Sequence, residues 1–220
     1  MEILTQTLSV FLHVDQHLAV FIRDYGLWVY LILFLIIFCE TGLVVTPFLP
    51  GDSLLFAAGA LSASVEGGLS MAILVPTLIV AAVLGDAANY GIGYKVGPGY
   101  LAKGKLRFVK TEHLEKTQRF YEKYGGKTII LARFVPIVRT FAPFVAGIGR
   151  MEYRRFGLFN ISGAVAWVLI CSFAGFFFGN IPIVKKNFEI VILGIIFVSV
   201  LPIAIEMAKG WAEKRRSAVA

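Results

Sequence analysis

The sequence predicts an all-α integral membrane protein with about four spanning helices and two opposed re-entrant helical hairpins. Hydrophobic residues make up 58% of the 220 residues, charged residues only 16%, and the mean hydropathy is +0.78. A soluble domain of this size is about 25% charged and about 45–50% apolar. The composition therefore excludes a soluble enzyme and a disulfide scaffold. The long apolar runs also disfavour an outer-membrane barrel, whose strands are short and alternating.

Four stretches are long enough to cross a membrane, since a spanning helix needs about 20 mainly apolar residues. Residues 67–85 and 156–184 contain no charged side chain. Residues 27–44 contain only Glu40, and residues 190–208 contain only Glu206. Four spans place both termini on the same side of the membrane.

The basic residues are concentrated in the second half of the chain. The net charge is −6 over residues 1–94, +6 over residues 95–127 and +7 over residues 128–220. Lys and Arg collect in cytoplasmic loops, so we expect the loop 95–127, the tail 209–220 and both termini in the cytoplasm. In so apolar a chain this asymmetry indicates orientation in a membrane rather than binding of nucleic acid.

Two further apolar stretches contain too many helix breakers to span. They cover residues 45–65 and 128–149. The residues that break them are Pro47, Pro50, Gly51, Pro136 and Pro143. Proline removes a backbone donor and clashes with the preceding turn. Irregular backbone at membrane depth is tolerated only inside protein or beside a wet cavity. We therefore predict two re-entrant hairpins, the first entering from outside and the second from the cytoplasm.

Two amphipathic interfacial helices are predicted at residues 3–22 and 111–124. The second carries a favourable Glu115–Arg119 pair and ends at Gly125-Gly126. In the first, His13 and His17 are four residues apart and could share a metal. Two histidines on a polar face are the simpler interpretation, so we expect no metal site and no cofactor.

The two hairpins form part of an internal repeat, with half-repeats at residues 27–94 and 128–179. In the first, FLP at 48–50 leads to FAAG at 56–59; in the second, FVP at 134–136 leads to FVAG at 144–147. Each is followed by a span in which a glycine lies near an aromatic residue, Gly85 with Tyr90 and Gly163 with Trp167. Broken helices at corresponding positions of two inverted halves indicate the binding site of a transporter.

Four charged residues lie inside the apolar stretches, namely Glu40, Asp52, Arg133 and Arg139. Each costs roughly 2.5–3.5 kcal/mol at mid-bilayer, so they must face inward and find partners. They either form a structural cluster of ion pairs or mark a substrate and proton pathway. In the second case the forked guanidinium groups of Arg133 and Arg139 would bind a phosphate. Glu40 and Asp52 would then carry protons.

Near the inner end of the second span lie Asp86, Asn89 and Tyr90. These side chains would either form a supporting polar track for protons and headgroups or make hydrogen bonds between helices. No catalytic residues are predicted, and we expect no enzyme. The three histidines lie outside the predicted spans, and the chain contains no HExxH motif.

Two motifs resemble the signatures of the DedA family, also called the VTT or SNARE-associated superfamily. The first comprises FCETG at 38–42 and PFLPGDS at 47–53. The second comprises ARFVPIVRT at 132–140, followed by Ala146-Gly147 and Met151. The resemblance implies a bacterial inner-membrane protein with opposed re-entrant hairpins that maintains the envelope using the proton-motive force. It also implies that Glu40 and Asp52 are the family's essential acids and that Arg133 and Arg139 are its essential arginines.

Some members of that family are described as flipping undecaprenyl phosphate, and others are linked to phospholipid translocation. The sequence thus favours a proton-motive-force-linked translocase, or flippase, of a phosphate-bearing lipid. Its partners would be membrane lipids and protons, and the sequence leaves a homo-oligomer open. The alternatives are a proton-coupled exchanger of small cations or osmolytes and a membrane scaffold.

Overall fold

A computed structural model describes residues 14–43, 51–63, 69–103 and 111–186, and these residues are helical without any strand. The helices are α1 (Val14–Gly42), α2 (Gly51–Ala63), α3 (Met71–Lys103), α4 (Thr111–Tyr124), α5 (Thr128–Ala132), α6 (Pro136–Ile148), α7 (Tyr153–Gly179) and α8 (Pro182–Lys186). A 3-10 turn, Gly125–Lys127, joins α4 to α5. The predicted all-helical class is confirmed for this part of the chain.

Three of the described helices are long and apolar enough to cross a membrane. The qualifying segments are Tyr25–Gly42 of α1, Met71–Gly97 of α3 and Tyr153–Gly179 of α7. Only 33% of each apolar window is buried within the protein, so most of these apolar side chains face outward. An apolar outer surface is what a lipid environment requires. The predicted fourth span at 190–208, the tail at 209–220, and Pro47 and Pro50 lie outside the described residues.

The predicted interfacial helix at 3–22 is described only from Val14 onward. There the chain is already helical, and α1 continues to Gly42 with one non-helical residue, Tyr25 (φ −122°, ψ 24°). The sequence predicts a boundary between an interfacial helix and a span in this region. In the structure the helix is continuous there and has only a kink at Tyr25. His13, and the side chain of His17, lie outside the described part.

α3 is longer than the sequence predicts. The sequence Gly97-Pro98-Gly99 would favour a break in the helix, but the helix continues through it to Lys103. Gly97 does not form a turn but allows α3 to pack closely on α6. A Cβ placed there would lie only 3.1 Å from the Cα of Ile148 on α6. Proline within a membrane helix is tolerated where the surroundings satisfy the freed carbonyl.

The stretch predicted as the second hairpin consists of two helices joined by a tight turn. α5 ends at Ala132, and α6 begins at Pro136 after the extended residue Val135 (φ −121°, ψ 106°). The break at Pro136 is thus confirmed, as expected for a proline in the first turn of a helix. The re-entrant path itself stays a prediction. The expectation that Pro143 also breaks the chain is wrong, because Pro143 lies inside α6, whose Val138 and Ala142 are fully buried and hold the helix by packing.

The predicted amphipathic helix at 111–124 is confirmed as α4. It ends where Gly125 adopts φ 57°, a conformation that glycine accepts readily. Leu114 points into the protein, whereas Glu115 and Arg119 are exposed and form a long ion pair of 4.0 Å.

The described residues fall into two compact units. The first contains residues 14–26, 52–63, 69 and 172–186, and the second contains residues 27–43, 51, 70–103 and 111–171. In the second unit α6 packs closely on α3. A Cβ on Gly93 would lie 2.9 Å from the carbonyl carbon of Phe144, and a Cβ on Gly147 would collide with the backbone oxygen of Tyr90. Small residues allow such close approach of membrane helices.

The first unit repeats this contact between α2 and the last turns of α7. A Cβ on Gly175 would lie 2.7 Å from the carbonyl carbon of Phe56, and a Cβ on Gly59 would lie 2.8 Å from that of Ser172. Phe56 and Phe144 are the first residues of the repeated motifs, and Gly59 and Gly147 the last. The repeat seen in the sequence is therefore one helix contact made twice. Gly147 approaches the backbone of Tyr90, and Gly59 approaches that of Ser172. In the repeat, Tyr90 therefore corresponds to Ser172 and not to Trp167.

Replacing the contact glycines should weaken the fold. We expect Gly93→Ala and Gly175→Ala each to lower stability by about 1–3 kcal/mol, because the added methyl must displace a neighbouring backbone. The matched controls are Gly91→Ala and Gly157→Ala on the same helices, since neither Cβ would meet any atom within 4 Å. Thermal unfolding of the detergent-purified protein measures the difference. Equal melting temperatures for contact and control variants would contradict this packing.

Candidate functional site

The second unit buries four charged side chains, two arginines and two carboxylates. Glu40 is 6% exposed, Asp86 3%, Arg133 3% and Arg139 9%. Among them, Arg133 forms an ion pair with Asp86, and Arg139 forms an ion pair with Glu40. This pairing is what burial of a charge in an apolar interior requires.

The first ion pair joins α1 to α6. Nη2 of Arg139, in the first turn of α6, contacts Oε1 of Glu40, close to the end of α1. The backbone of Gly51, the first residue of α2, lies directly against this pair. A Cβ on Gly51 would lie 2.6 Å from Nη2 of Arg139, so only glycine fits there. The other oxygen of Glu40, Oε2, has no hydrogen-bond partner in the described part of the chain.

The second ion pair joins the turn before α6 to α3 and α7. Nη2 of Arg133 lies 2.5 Å from Oδ2 of Asp86 and donates a second hydrogen bond of 2.8 Å to Oδ1 of Asn160. Nδ2 of Asn160 in turn donates to the backbone oxygen of Val83, at 3.0 Å. Asn160 thus bridges α7 and α3 and fixes the position of the guanidinium.

One buried indole links the two pairs. The guanidinium carbon of Arg139 lies 4.5 Å from the ring centroid of Trp167, and that of Arg133 lies 5.7 Å from it. A ring face attracts cations within about 6 Å of its centroid. One turn earlier, a Cβ on Gly163 would lie 3.1 Å from Nε of Arg133, so this glycine leaves room for the side chain.

Asn89 ties together the same helices as the first ion pair. Its Nδ2 donates to the backbone oxygen of Thr41 at 3.0 Å and to that of Thr140 at 2.9 Å. These two threonines directly follow Glu40 and Arg139. Asn89 is therefore a hydrogen-bonding clamp between α1, α3 and α6. Within the described residues its Oδ1 has no partner.

Two tyrosines near the site, Tyr90 and Tyr121, donate hydrogen bonds to backbone carbonyl oxygens. The hydroxyl of Tyr90 donates to the oxygen of Met151 at 2.5 Å, and its ring stacks on Phe156 with centroids 4.5 Å apart. The hydroxyl of Tyr121 on α4 donates to the oxygen of Ala142 at 2.9 Å. Burial, reinforced by the negative charge of Asp86, raises the pKa of the Tyr121 phenol above its usual range, so it stays a donor.

The sequence prediction is met in part. Arg133, Arg139 and Glu40 are buried and paired, and Asp86 is the direct partner of Arg133. A supporting polar track of Asp86, Asn89 and Tyr90 stays a prediction. Asp52 belongs to the first unit, in the first turn of α2, and is exposed, contrary to the expected burial. A carboxylate at a helix N-terminus is stabilised by the helix dipole without being buried.

Breaking the second ion pair from one side should destabilise the protein strongly. We expect Asp86→Ala to cost about 3–5 kcal/mol, because it leaves the Arg133 charge buried without a counter-ion. The double variant Asp86→Leu with Arg133→Met should recover much of that loss, since no charge remains to be desolvated. Denaturant unfolding in detergent measures both. Additive losses in the double variant would show that the two side chains do not stabilise each other.

Comparison with known proteins places these residues in a family. Residues 49–177 match the VTT domain. The chain is 54% identical to Protein DedA of Escherichia coli K12 over 209 residues, 95% of each chain. It is 45% identical to an uncharacterized membrane protein of Mycobacterium tuberculosis H37Rv over 183 residues, 83% of this chain and 80% of the relative. It is 33% identical to the inner membrane protein YqjA of Escherichia coli K12 over 186 residues, 84% of this chain and 83% of the relative.

No solved structure matches the chain. The family match covers more than half of the sequence and contains Asp52, Asp86, Arg133 and Arg139, while Glu40 precedes it. The alignment with the Escherichia coli relative extends over nearly the whole chain. The chain therefore belongs to the DedA family of membrane proteins, whose common module is the VTT domain.

Proposed function

We propose that this protein is a proton-motive-force-linked translocase of a phosphate-bearing lipid, either undecaprenyl phosphate or a phospholipid. The observation that carries the proposal is the pair of arginines buried beside one indole, with Arg133 paired to Asp86 and Arg139 paired to Glu40. A buried ion pair is weak evidence for stability, because desolvation offsets much of the attraction. Ionisable residues inside a membrane protein more often mark a substrate or ion pathway.

The guanidinium group matches a phosphate in shape and charge. Its planar fork can give two parallel hydrogen bonds to two phosphate oxygens, and it stays charged at every physiological pH. In this structure the guanidinium groups contact the carboxylates of Glu40 and Asp86 instead. A lipid phosphate must therefore compete with these carboxylates for the arginines.

Protonation of Glu40 would allow the lipid phosphate to displace its carboxyl group from Arg139. A proton on the carboxyl removes its negative charge and weakens its attraction for Arg139. Oε2, which has no partner among the described residues, is the oxygen available to receive it. Since protonation then favours phosphate binding, phosphate binding must favour protonation equally. Proton and headgroup would bind together, and a proton gradient would drive lipid movement. We assign Asp52 as a second proton carrier because its motif, PFLPGDS at 47–53, resembles the family signature that contains an essential acid.

The proposal includes the setting of the protein. We place it in the bacterial inner membrane with both termini in the cytoplasm, following the basic loops. The printed name of the relative YqjA, an inner membrane protein, supports this compartment. The substrate would be a membrane lipid and the coupling ion a proton, with no cofactor and no covalent catalysis.

A membrane scaffold is the second candidate, favoured by the fact that the buried charges neutralise each other in pairs. A cation exchanger is less well supported, since guanidinium groups already occupy the carboxylates that a cation would need. A scaffold needs the ion pairs only for folding and moves no lipid.

Uptake of labelled undecaprenyl phosphate into sealed proteoliposomes tests the role of Arg139. We expect Arg139→Ala to slow uptake at least about tenfold, because a hydrogen bond to a charged group is worth about 1.5–3 kcal/mol. Arg139→Lys should be intermediate, since it keeps the charge but loses the fork. Arg154→Gln, which removes an exposed arginine, is the matched control.

Thermal unfolding identifies any variant that fails to fold, and Arg139→Gln combined with Glu40→Gln avoids leaving an unpaired buried carboxylate. Rates for the native protein that equal those of Arg139→Ala and of protein-free liposomes would contradict transport and favour the scaffold.

Removal of the proton carrier should uncouple transport from the pH gradient. In Glu40→Gln the side chain cannot carry a charge, so we expect lipid movement that no longer responds to an imposed gradient. The control Glu122→Gln, on the exposed face of α4, should keep the native response. The same liposome assay, run with and without an acidic exterior, provides the comparison. A Glu40→Gln protein with a full gradient response would eliminate Glu40 as the coupling residue.

A further inference from the structure

A second potential binding site lies in the same unit as the ion pairs but does not include them. A cavity of about 650 Å³ opens between α4 and the corner that joins α6 to α7. None of the four paired charged residues lines it. The volume falls within the range of ligand pockets, roughly 300–1,000 Å³.

Two arginines lie at the edge of this cavity. Arg150 and Arg155 both line the cavity, and both side chains are exposed. Their positive charges are therefore accessible from the cavity and from outside the protein. The guanidinium of Arg150 lies 5.3 Å from the ring centroid of Tyr94, which restricts its position. Among the described residues, no acidic side chain lines the cavity. The site therefore attracts an anion.

The backbone at Arg150 is held in a conformation that favours glycine. Its φ is 50°, the one positive φ among the described non-glycine residues. The turn is fixed by hydrogen bonds from N of Arg150 to the oxygen of Gly147, at 3.0 Å, and from N of Met151 to that of Ala146, at 2.9 Å. Helices usually place glycine at this position. This turn fixes the backbone from which the Arg150 side chain leaves at the edge of the cavity.

The walls of the cavity are apolar. Val145, Ile148 and Met151 provide branched and flexible aliphatic surface behind the arginines. A free phosphate ion would gain nothing from such walls, whereas a lipid would place its headgroup on the arginines and its chain on the walls. Basic residues near a membrane surface attract anionic lipids.

We propose that this cavity binds one anionic phospholipid, with its phosphodiester on Arg150 and Arg155 and the start of an acyl chain on the apolar walls. The inference is independent of the proposed transport, because a lipid bound here can anchor the corner whether or not another lipid is moved. The lipid would lie at the basic face that the charge distribution predicts to be cytoplasmic.

Native mass spectrometry of the full-length protein, titrated with phosphatidylglycerol, tests the site. The variant Arg150→Gln with Arg155→Gln is compared with Arg119→Gln and Arg154→Gln, which removes two exposed arginines that do not line the cavity. The two variants have the same net charge. We expect the first to weaken phosphatidylglycerol binding at least about tenfold, the control to change it by less than about twofold, and phosphatidylcholine to bind weakly to all.

A second variant tests the apolar part without changing charge. Gly149 lines the cavity, has an ordinary φ of −73°, and a Cβ there would approach only the oxygens of Val145 and Ala146, at 3.3 and 3.9 Å. Gly149→Leu should narrow the cavity and weaken phosphatidylglycerol binding. Equal losses in the two double-arginine variants would overturn the proposal by showing diffuse attraction only. Displacement of the lipid by inorganic phosphate, or unchanged binding to Gly149→Leu, would also overturn it.

Discussion

Two guanidinium groups in an apolar interior impose the main constraint on this structure, because each must meet a carboxylate to be buried at all. The chain meets that constraint through backbone geometry. The turn between α5 and α6 presents Arg133, and the first turn of α6 presents Arg139. Glycines at 51 and 163 leave space where a side chain would collide with the arginines. Trp167 then supplies one ring face to both cations.

The close packing of α3 on α6 sets the distances within the site. Gly93 and Gly97 bring the two backbones together on the same helix that carries Asp86 and Asn89. Because the backbones approach so closely, the short side chain of Asn89 can reach the carbonyl of Thr140 directly. The first unit builds the same contact from Phe56 and Gly175. The same helix packing thus occurs in both units, and in the second unit the hydrogen bonds of Asn89 reinforce it.

Local signals in the sequence were sufficient for part of this description. Hydropathy locates the spans, the amphipathic pattern and Gly125 give the bounds of α4, and Pro136 marks the start of α6. The pairing of Arg139 with a predicted acid followed from the cost of burying charge. Pro98 and Pro143 were misleading, since the local cost of proline is outweighed where tertiary packing holds the helix.

The partners of Arg133 could not be derived from periodicity, because periodicity does not say which helices are neighbours. Asn160, an isolated amide in a charge-free span, was the available signal for one of them.

The number of charges at the site bears on which lipid the proposed translocase would carry. Both arginines lie beside one indole, and Asp86 and Glu40 pair with them. A ligand that replaces both carboxylates should itself carry close to two negative charges. A phosphomonoester carries about −1.5 to −2 near neutral pH, as phosphorylated side chains do, whereas the phosphodiester of a phospholipid has a single ionisable oxygen. If both arginines bind the same headgroup, the charge balance favours undecaprenyl phosphate over a phospholipid. If only Arg139 exchanges its carboxylate for the lipid, Arg133 with Asp86 and Asn160 remains a fixed support, and a singly charged headgroup suffices.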